Sequence, residues 1–224
     1  MSYDKDRAEK LTERILANPN SPQVGVLMND LLEEFGRGYP LDNLRPLLLH
    51  NNSRVATTGA WIASELGAKG SVLLEDVSPL IGHPEKGVRF WAIDCVLLWA
   101  GPSDQAELAS VIELLNDPEP GVRWKAMDFL SRATREQLEA ALSSLEAREP
   151  NSMNVRGLRW LIGSHASDLQ DVKTALQSQD GVLRKYGVVA ARRMSKDNRE
   201  PLLYAASLSD PDVKNFADSS ITLL

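Results

Sequence analysis

A chain of 224 residues, 43% hydrophobic and 25% charged, has the balance of a folded protein, which excludes disorder as a description of the whole chain. The formal charge of -6 argues against general affinity for nucleic-acid phosphates or anionic membranes, and no apolar run nears the ~20 residues that a spanning helix needs. One cysteine, Cys95, and three histidines, His50, His83 and His165, exclude an intramolecular disulfide framework and leave too few ligands for a zinc site, so neither metal nor cofactor is expected. The opening Met-Ser-Tyr-Asp-Lys-Asp-Arg lacks the apolar stretch of a secretory signal, which sets the cytoplasm as the expected compartment.

Residues 4–17 and 22–36 carry helical apolar periodicity and read as a degenerate hairpin that caps the N-terminal end, within a cap spanning 1–40. From residue 41 to 224 the chain repeats itself. Segments 82–100 and 116–133 share a turn, Gly-Val-Arg, an aromatic, an Ala four places after the Val and an Asp two places after that Ala. Weaker copies lie at 50–67, 150–163, 179–193 and 209–224. The anchoring apolar residues are Val55, Val88, Val122, Val155, Leu183 and Val213, spaced 33, 34, 33, 28 and 30. Four places on stand Gly59, Ala92, Ala126, Arg159, Gly187 and Ala217, where a small side chain lets a neighbouring helix approach.

Each copy begins a helix, with Asp117-Pro118 and Asp210-Pro211 as N-cap and first-turn signals. Before the copies lie apolar-periodic segments at 71–82, 106–115, 135–147, 168–178 and 198–209, so the unit is a helical hairpin. No Pro/Gly/Ser-rich linker interrupts the array, and 1–224 reads as one domain, all-α, of about six hairpins behind the cap. Residues 1–112 hold ten Lys/Arg against fifteen Asp/Glu and residues 113–224 fifteen against sixteen, which makes the first half the acidic one.

A helix, an Asp-Pro turn and Val-Arg-x-x-Ala opening a second helix resemble HEAT repeats, particularly the short bacterial type also found in relatives of phycobilin lyases. The resemblance covers 41–224. The first copy departs from it with Arg54 before its Val, and the fourth with Arg159 at the small position. It implies a right-handed α-α superhelix whose first helices line the convex side and whose second helices line a concave, partner-binding side. Small proteins of this kind include toxin-immunity proteins, alkylpurine DNA glycosylases and bilin lyase or chaperone-like subunits.

The repeated cation after the anchor (Arg89, Arg123, Arg156, Arg184, with Lys214) reads as structural, pairing with an acidic residue or turn carbonyl. His50 and His83, each five residues before an anchor, read as turn residues favoured as imidazolium near terminal carbonyls, and His165 as a surface residue. Cys95 reads as a small buried hydrophobe, and Trp91 and Trp99 as core. Counted from the anchor, positions +2, +5, +6 and +9 face away from the hairpin core. They place Trp61, Phe90, Trp124, Met127 and Trp160 around two carboxylates, Asp94 and Asp128, on the concave side. Aromatics interleaved with charge suit a binding hot spot. The basic fifth copy reads as a solvated face, with Lys185 and Arg192 on the same ridge, ready for an acidic element of the partner.

These features predict a non-enzymatic protein-binding module. The resemblance narrows it to an immunity protein that neutralises a basic toxin, commonly a nuclease, since acidic complementarity speeds association. An alkylpurine glycosylase is the alternative, although it calls for basic charge along the groove, and a bilin lyase or chaperone-like subunit is a third. A monomer is expected, with Ile221-Thr222-Leu223-Leu224 as an apolar end that a second copy would cover.

Overall fold

The computed structural model describes residues 3–223; Met1, Ser2 and Leu224, parts of the terminal expectations above, lie outside them. The described residues are all-α, 77% helical, with fourteen α-helices and no strand. Two compact units make up the chain, Met1–Trp99 and Ala100–Leu224.

In the N-terminal unit, α1 (Lys5–Ala17) and α2 (Val24–Gly36) form the expected cap hairpin. Glu34 holds it together from a fully buried position. Its carboxylate accepts from the Asp4 backbone N–H at 2.8 Å, from Arg7 at 2.6 Å and from Arg37 at 2.8 Å. The Asp4 N–H foremost, with both guanidinium groups, holds its pKa below the usual carboxylate range against the effect of burial.

Then come α3 (Arg45–Leu48), α4 (Ser53–Ser64), α5 (Leu74–Val77) and α6 (Lys86–Trp99). The helix expected over 71–82 is instead 3-10 turns flanking the single α-turn of α5. Gly67, at φ +61°, sits in the left-handed region, Pro79 interrupts the ladder, and Gly70 lies under the Trp99 ring, leaving no uninterrupted stretch to propagate. Trp99 is buried and its indole N–H donates to Gly67 O at 2.7 Å, as a core tryptophan should.

The C-terminal unit contains four hairpins: α7 (Gln105–Glu113) with α8 (Pro120–Arg132), α9 (Arg135–Arg148) with α10 (Met153–Ile162), α11 (Leu169–Leu176) with α12 (Gly181–Met194), and α13 (Glu200–Ala206) with α14 (Pro211–Thr222). Side-chain caps start most of the second helices. Ser152 accepts from Val155 N–H, Asp180 from Val182 and Leu183 N–H, and Asp210 from Asp212 and Val213 N–H, while Asn52 does the same for α4. The Asp210-Pro211 expectation holds. Asp117-Pro118 does not cap α8: Asp117 accepts from Glu119 N–H two residues on, ahead of the helix, and Pro120 is the proline in the first turn.

The anchors fall at one helical position, the third residue after the cap. Val55, Val88, Val122, Val155 and Val213 are buried, whereas Leu183 is half-exposed and Arg159, at a small-residue position, is exposed. Small residues at +4 act within the hairpin. A Cβ on Gly59 would lie 2.7 Å from Leu48 N, and one on Gly187 would lie 2.9 Å from Leu176 N, both eleven residues back on the partner helix. Close approach of backbone to backbone is what these glycines permit.

In the C-terminal unit, second helices do more than stack on their sequence neighbours. The α12 helix packs against α8, α10 and α14, and α14 reaches back to α8. Ionic contacts hold this closure. Arg123 of α8 clasps Asp212 of α14 through two bonds, Nε to Oδ2 at 2.7 Å and Nη2 to Oδ1 at 2.8 Å, and Arg184 Nε donates to Asp210 Oδ2 at 2.7 Å. Both acids stand at the start of α14, where the helix dipole favours negative charge.

Candidate functional site

The residues expected to share one concave strip divide between the units. In the N-terminal unit Trp61 (α4), Phe90 and Asp94 (α6) are each half-buried. Trp91, assigned to the core from its sequence position, is also half-buried and meets Phe90 edge-on at 4.9 Å between ring centres. It stands one residue, about 100° around the helix, from Phe90, so the two rings share an edge of α6 instead of opposite faces.

In the C-terminal unit the expected strip is largely consumed by folding. Met127 is fully buried, contrary to its assignment to the binding face, because α12 and α14 pack on α8. Trp124 keeps partial exposure, but its ring lies 5.8 Å from Phe216 of α14, with the Lys125 ammonium 5.9 Å from its centre. Asp128 accepts from Arg132 at 3.2 Å within the same helix.

Lys185 is buried, not on a ridge: its Nζ donates to Leu115 O at 2.6 Å and lies 3.5 Å from Asp212 Oδ2. Burial lowers its pKa against the opposing pull of Asp212. Asp212, which burial alone would raise, is held below the ordinary carboxylate range by Arg123 and then Lys185. Arg193 reaches back as well, donating to Leu130 O at 2.6 Å and Ala133 O at 2.7 Å at the end of α8. The basic fifth copy is therefore in large part an internal clasp. Arg192, half-exposed, donates to Ser195 Oγ.

One device recurs at atomic detail around the turns. Arg89 Nη1 donates to His83 O at 2.7 Å and Pro84 O at 2.9 Å; Arg123 Nη1 to Asp117 O at 2.8 Å and Pro118 O at 3.0 Å; Arg184 Nη1 to Ser178 O at 2.8 Å and Gln179 O at 3.0 Å. In each case the acceptors are the carbonyls five and four places before the anchor. The side chain five places before it accepts the N–H two residues on: His50 Nδ1 from Asn52, His83 Nδ1 from Glu85, Asp117 Oδ1 from Glu119 and Ser178 Oγ from Asp180. In both histidines the ring Nδ1 is the turn acceptor, which places them at turns, as expected.

The fourth copy is the exception. Arg156 occupies the ladder position, yet among the described residues its side chain has no hydrogen-bond or ion-pair partner, and it is exposed. It lines a cleft of about 640 Å³ between α10 and the α11–α12 hairpin. Trp160, one helical turn further along α10, shares the wall with it, and Leu183 forms part of the lining, which is why this anchor alone is half-exposed. Opposite stand Thr174, Gln177 and the pair His165–Asp171, whose Nδ1 and Oδ2 are 2.7 Å apart. His165 is a surface residue, as expected. Of the nine residues assigned to partner binding, Trp160 is the one that lines this cleft. The sequence reading missed Arg156 as a site residue; the signal present was the shortened spacing from Val155 to Leu183, which leaves α11 with only eight residues.

Cys95 is buried, and desolvation pushes its thiol pKa up, as for a core hydrophobe. No helix among the described residues is long and apolar enough to cross a membrane.

No known protein family matches the chain, and no curated protein does. Among solved structures, two engineered proteins from the Northeast Structural Genomics Consortium are similar to it. One has 16% identity and a TM-score of 0.43, covering 81% of this chain and 95% of its own, and the other has 14% identity and a TM-score of 0.43, covering 96% of this chain and 67% of its own.

Proposed function

We propose that this protein is a non-enzymatic protein-binding module of HEAT-like repeats, six hairpins behind an N-terminal cap, in which the cleft beside Trp160 is a recognition site. The repeat reading is supported by the recurring turn device, with the same donor, acceptors and offsets at Arg89, Arg123 and Arg184. The right-handed superhelix belongs to the proposal by resemblance.

The binding reading is carried by one observation: the fourth copy presents an unengaged cation and a half-exposed indole in one cleft, while at the equivalent positions of α8 and α12 the arginine is bound to turn carbonyls and the second residue, Met127 or Val188, is buried. Aromatic and arginine side chains are the residues that most often dominate binding energy.

Neutralisation of a toxin in the cytoplasm is the role that the resemblance adds. Its expected basic partner has less support at the level of the units. Residues 1–99 hold ten Lys/Arg against thirteen Asp/Glu and residues 100–224 fifteen against eighteen, a net of -3 in each.

The test is a pull-down with the tagged chain, identification of the captured protein, and affinity measurement for Trp160→Ala. A loss of roughly tenfold or more with unchanged circular dichroism is expected. Equal affinity would remove the cleft from the interface, and release of alkylated bases from methylated DNA by the purified chain would replace this reading with the glycosylase alternative.

A further inference from the structure

We propose that the α10/α11–α12 cleft recognises a peptide carboxylate, seated on Arg156, with the adjoining apolar side chain laid against Trp160 and Leu183. This rests on the protein-binding reading and names the chemistry of the partner segment. The partner is thus acidic at this site, the opposite of the basic partner expected from the sequence.

Three observations converge. In the copies carrying Arg89, Arg123 and Arg184, the ladder guanidinium is spent on two turn carbonyls, so its charge is bound to the fold. Arg156 has been released from that duty and lines an open cleft instead. The carboxylate in the lining, Asp171, is hydrogen-bonded to His165 at 2.7 Å and forms no ion pair with Arg156, so the guanidinium keeps its donors for a ligand. Finally, the anchor residue Leu183, whose counterparts are buried in the five other copies, contributes apolar surface beside Trp160.

Arginine binds carboxylate through two parallel N–H bonds, a geometry that suits a chain terminus or an Asp/Glu side chain equally. A peptide fits better than a phosphorylated ligand, because Arg156 is the only Lys or Arg in the cleft lining. Thr174 Oγ1 and Gln177 Nε2 donate to Gln170 O and Tyr204 OH, which leaves their oxygens as acceptors for main-chain N–H groups on the opposite wall. The volume of about 640 Å³ lies within the range of clefts that enclose a ligand of a few residues.

The experiment uses the full chain labelled with nitrogen-15 and titrated with N-acetyl-Gly-Glu-Leu up to about 5 mM, a range that detects even millimolar affinity. Three analogues run in parallel, one amidated at the C-terminus, one with Gln for Glu and one with both changes. The Trp160 indole N–H and the α10 and α11 amides should shift. The analogue that removes the bound carboxylate should bind roughly tenfold more weakly, which tells terminus from side chain, and Arg156→Gln should lose the same factor for the charged peptide but not for the doubly neutral one.

No shift at 5 mM, equal affinity of Arg156→Gln for the charged peptide, or an equal response to inorganic phosphate would each overturn the proposal. A captured partner that binds Arg156→Gln as tightly as the parent would also overturn it, while leaving the protein-binding reading intact. Base-releasing activity on alkylated DNA, by contrast, would overturn that reading, and the peptide shifts would still decide the chemistry of the cleft.

Discussion

The third and fourth hairpins carry the same residue at the same place and use it in opposite ways. Arg123 donates to its own turn and clasps Asp212 from 89 residues away, with both side chains less than a fifth exposed. Arg156 is exposed and does neither. What differs is the neighbourhood: α8 is covered by α12 and α14, whereas beyond α10 the short α11 leaves a gap. A repeat position thus specifies where a side chain starts, and the helices packed around it decide what the side chain does.

The strongest way to break this comparison is to remove each arginine. Arg123→Ala should lower unfolding stability by about 3 kcal/mol, because it leaves Asp212 partly buried beside Lys185 alone. Arg156→Ala should stay within about 0.5 kcal/mol, as an exposed side chain without partners does. Equal losses in urea unfolding would refute the division of roles.

The same clasp sets an acid limit. Because Asp212 titrates below its ordinary value in the folded chain, the unfolded chain binds more protons between the two values and stability rises with pH there. The contribution is complete above the ordinary carboxylate range and is lost as pH falls through the folded value. Unfolding midpoints measured from pH 5 to pH 2 should fall less steeply in Asp212→Asn than in the parent.

Glycines sharpen the contrast at the next level. A Cβ on Gly157 of the fourth copy would stand 2.2 Å from the buried Tyr186 ring, whereas one on Gly121 of the third would meet nothing within 4 Å. Gly157→Ala should therefore cost about 2 kcal/mol through overpacking. Gly121→Ala should be neutral or stabilise by up to about 0.5 kcal/mol. Thermal unfolding of the two variants checks the pair.

A smaller loss than at Gly157 is expected at the start of α10. Ser152 accepts the Val155 N–H at 3.3 Å, so Ser152→Ala should cost about 1 kcal/mol. A loss below the resolution of thermal unfolding would mean that packing alone fixes the α10 start.

The sequence by itself determined the hairpins. Periodicity, caps and the recurrent anchor place Val55, Val88, Val122, Val155 and Val213 in the core, because each depends on contacts within a few helical turns. It also carried the cap hairpin at Lys5–Ala17 and Val24–Gly36, and the structural role of Arg89, Arg123 and Arg184. Where Gly and Pro interrupt the pattern, as between residues 67 and 82, periodicity overstated the helix.

What only the tertiary structure decided is which side chains remain at a surface. Met127 and Lys185 are outward positions of their own hairpins, yet α14 packs back onto α8 and α12 and encloses both. Arg156 looks like one more rung of the ladder until the gap beside α11 is seen. Exposure depends on the nearest helix in space, and in this chain that helix can lie 60 to 90 residues away, where no local spacing records it.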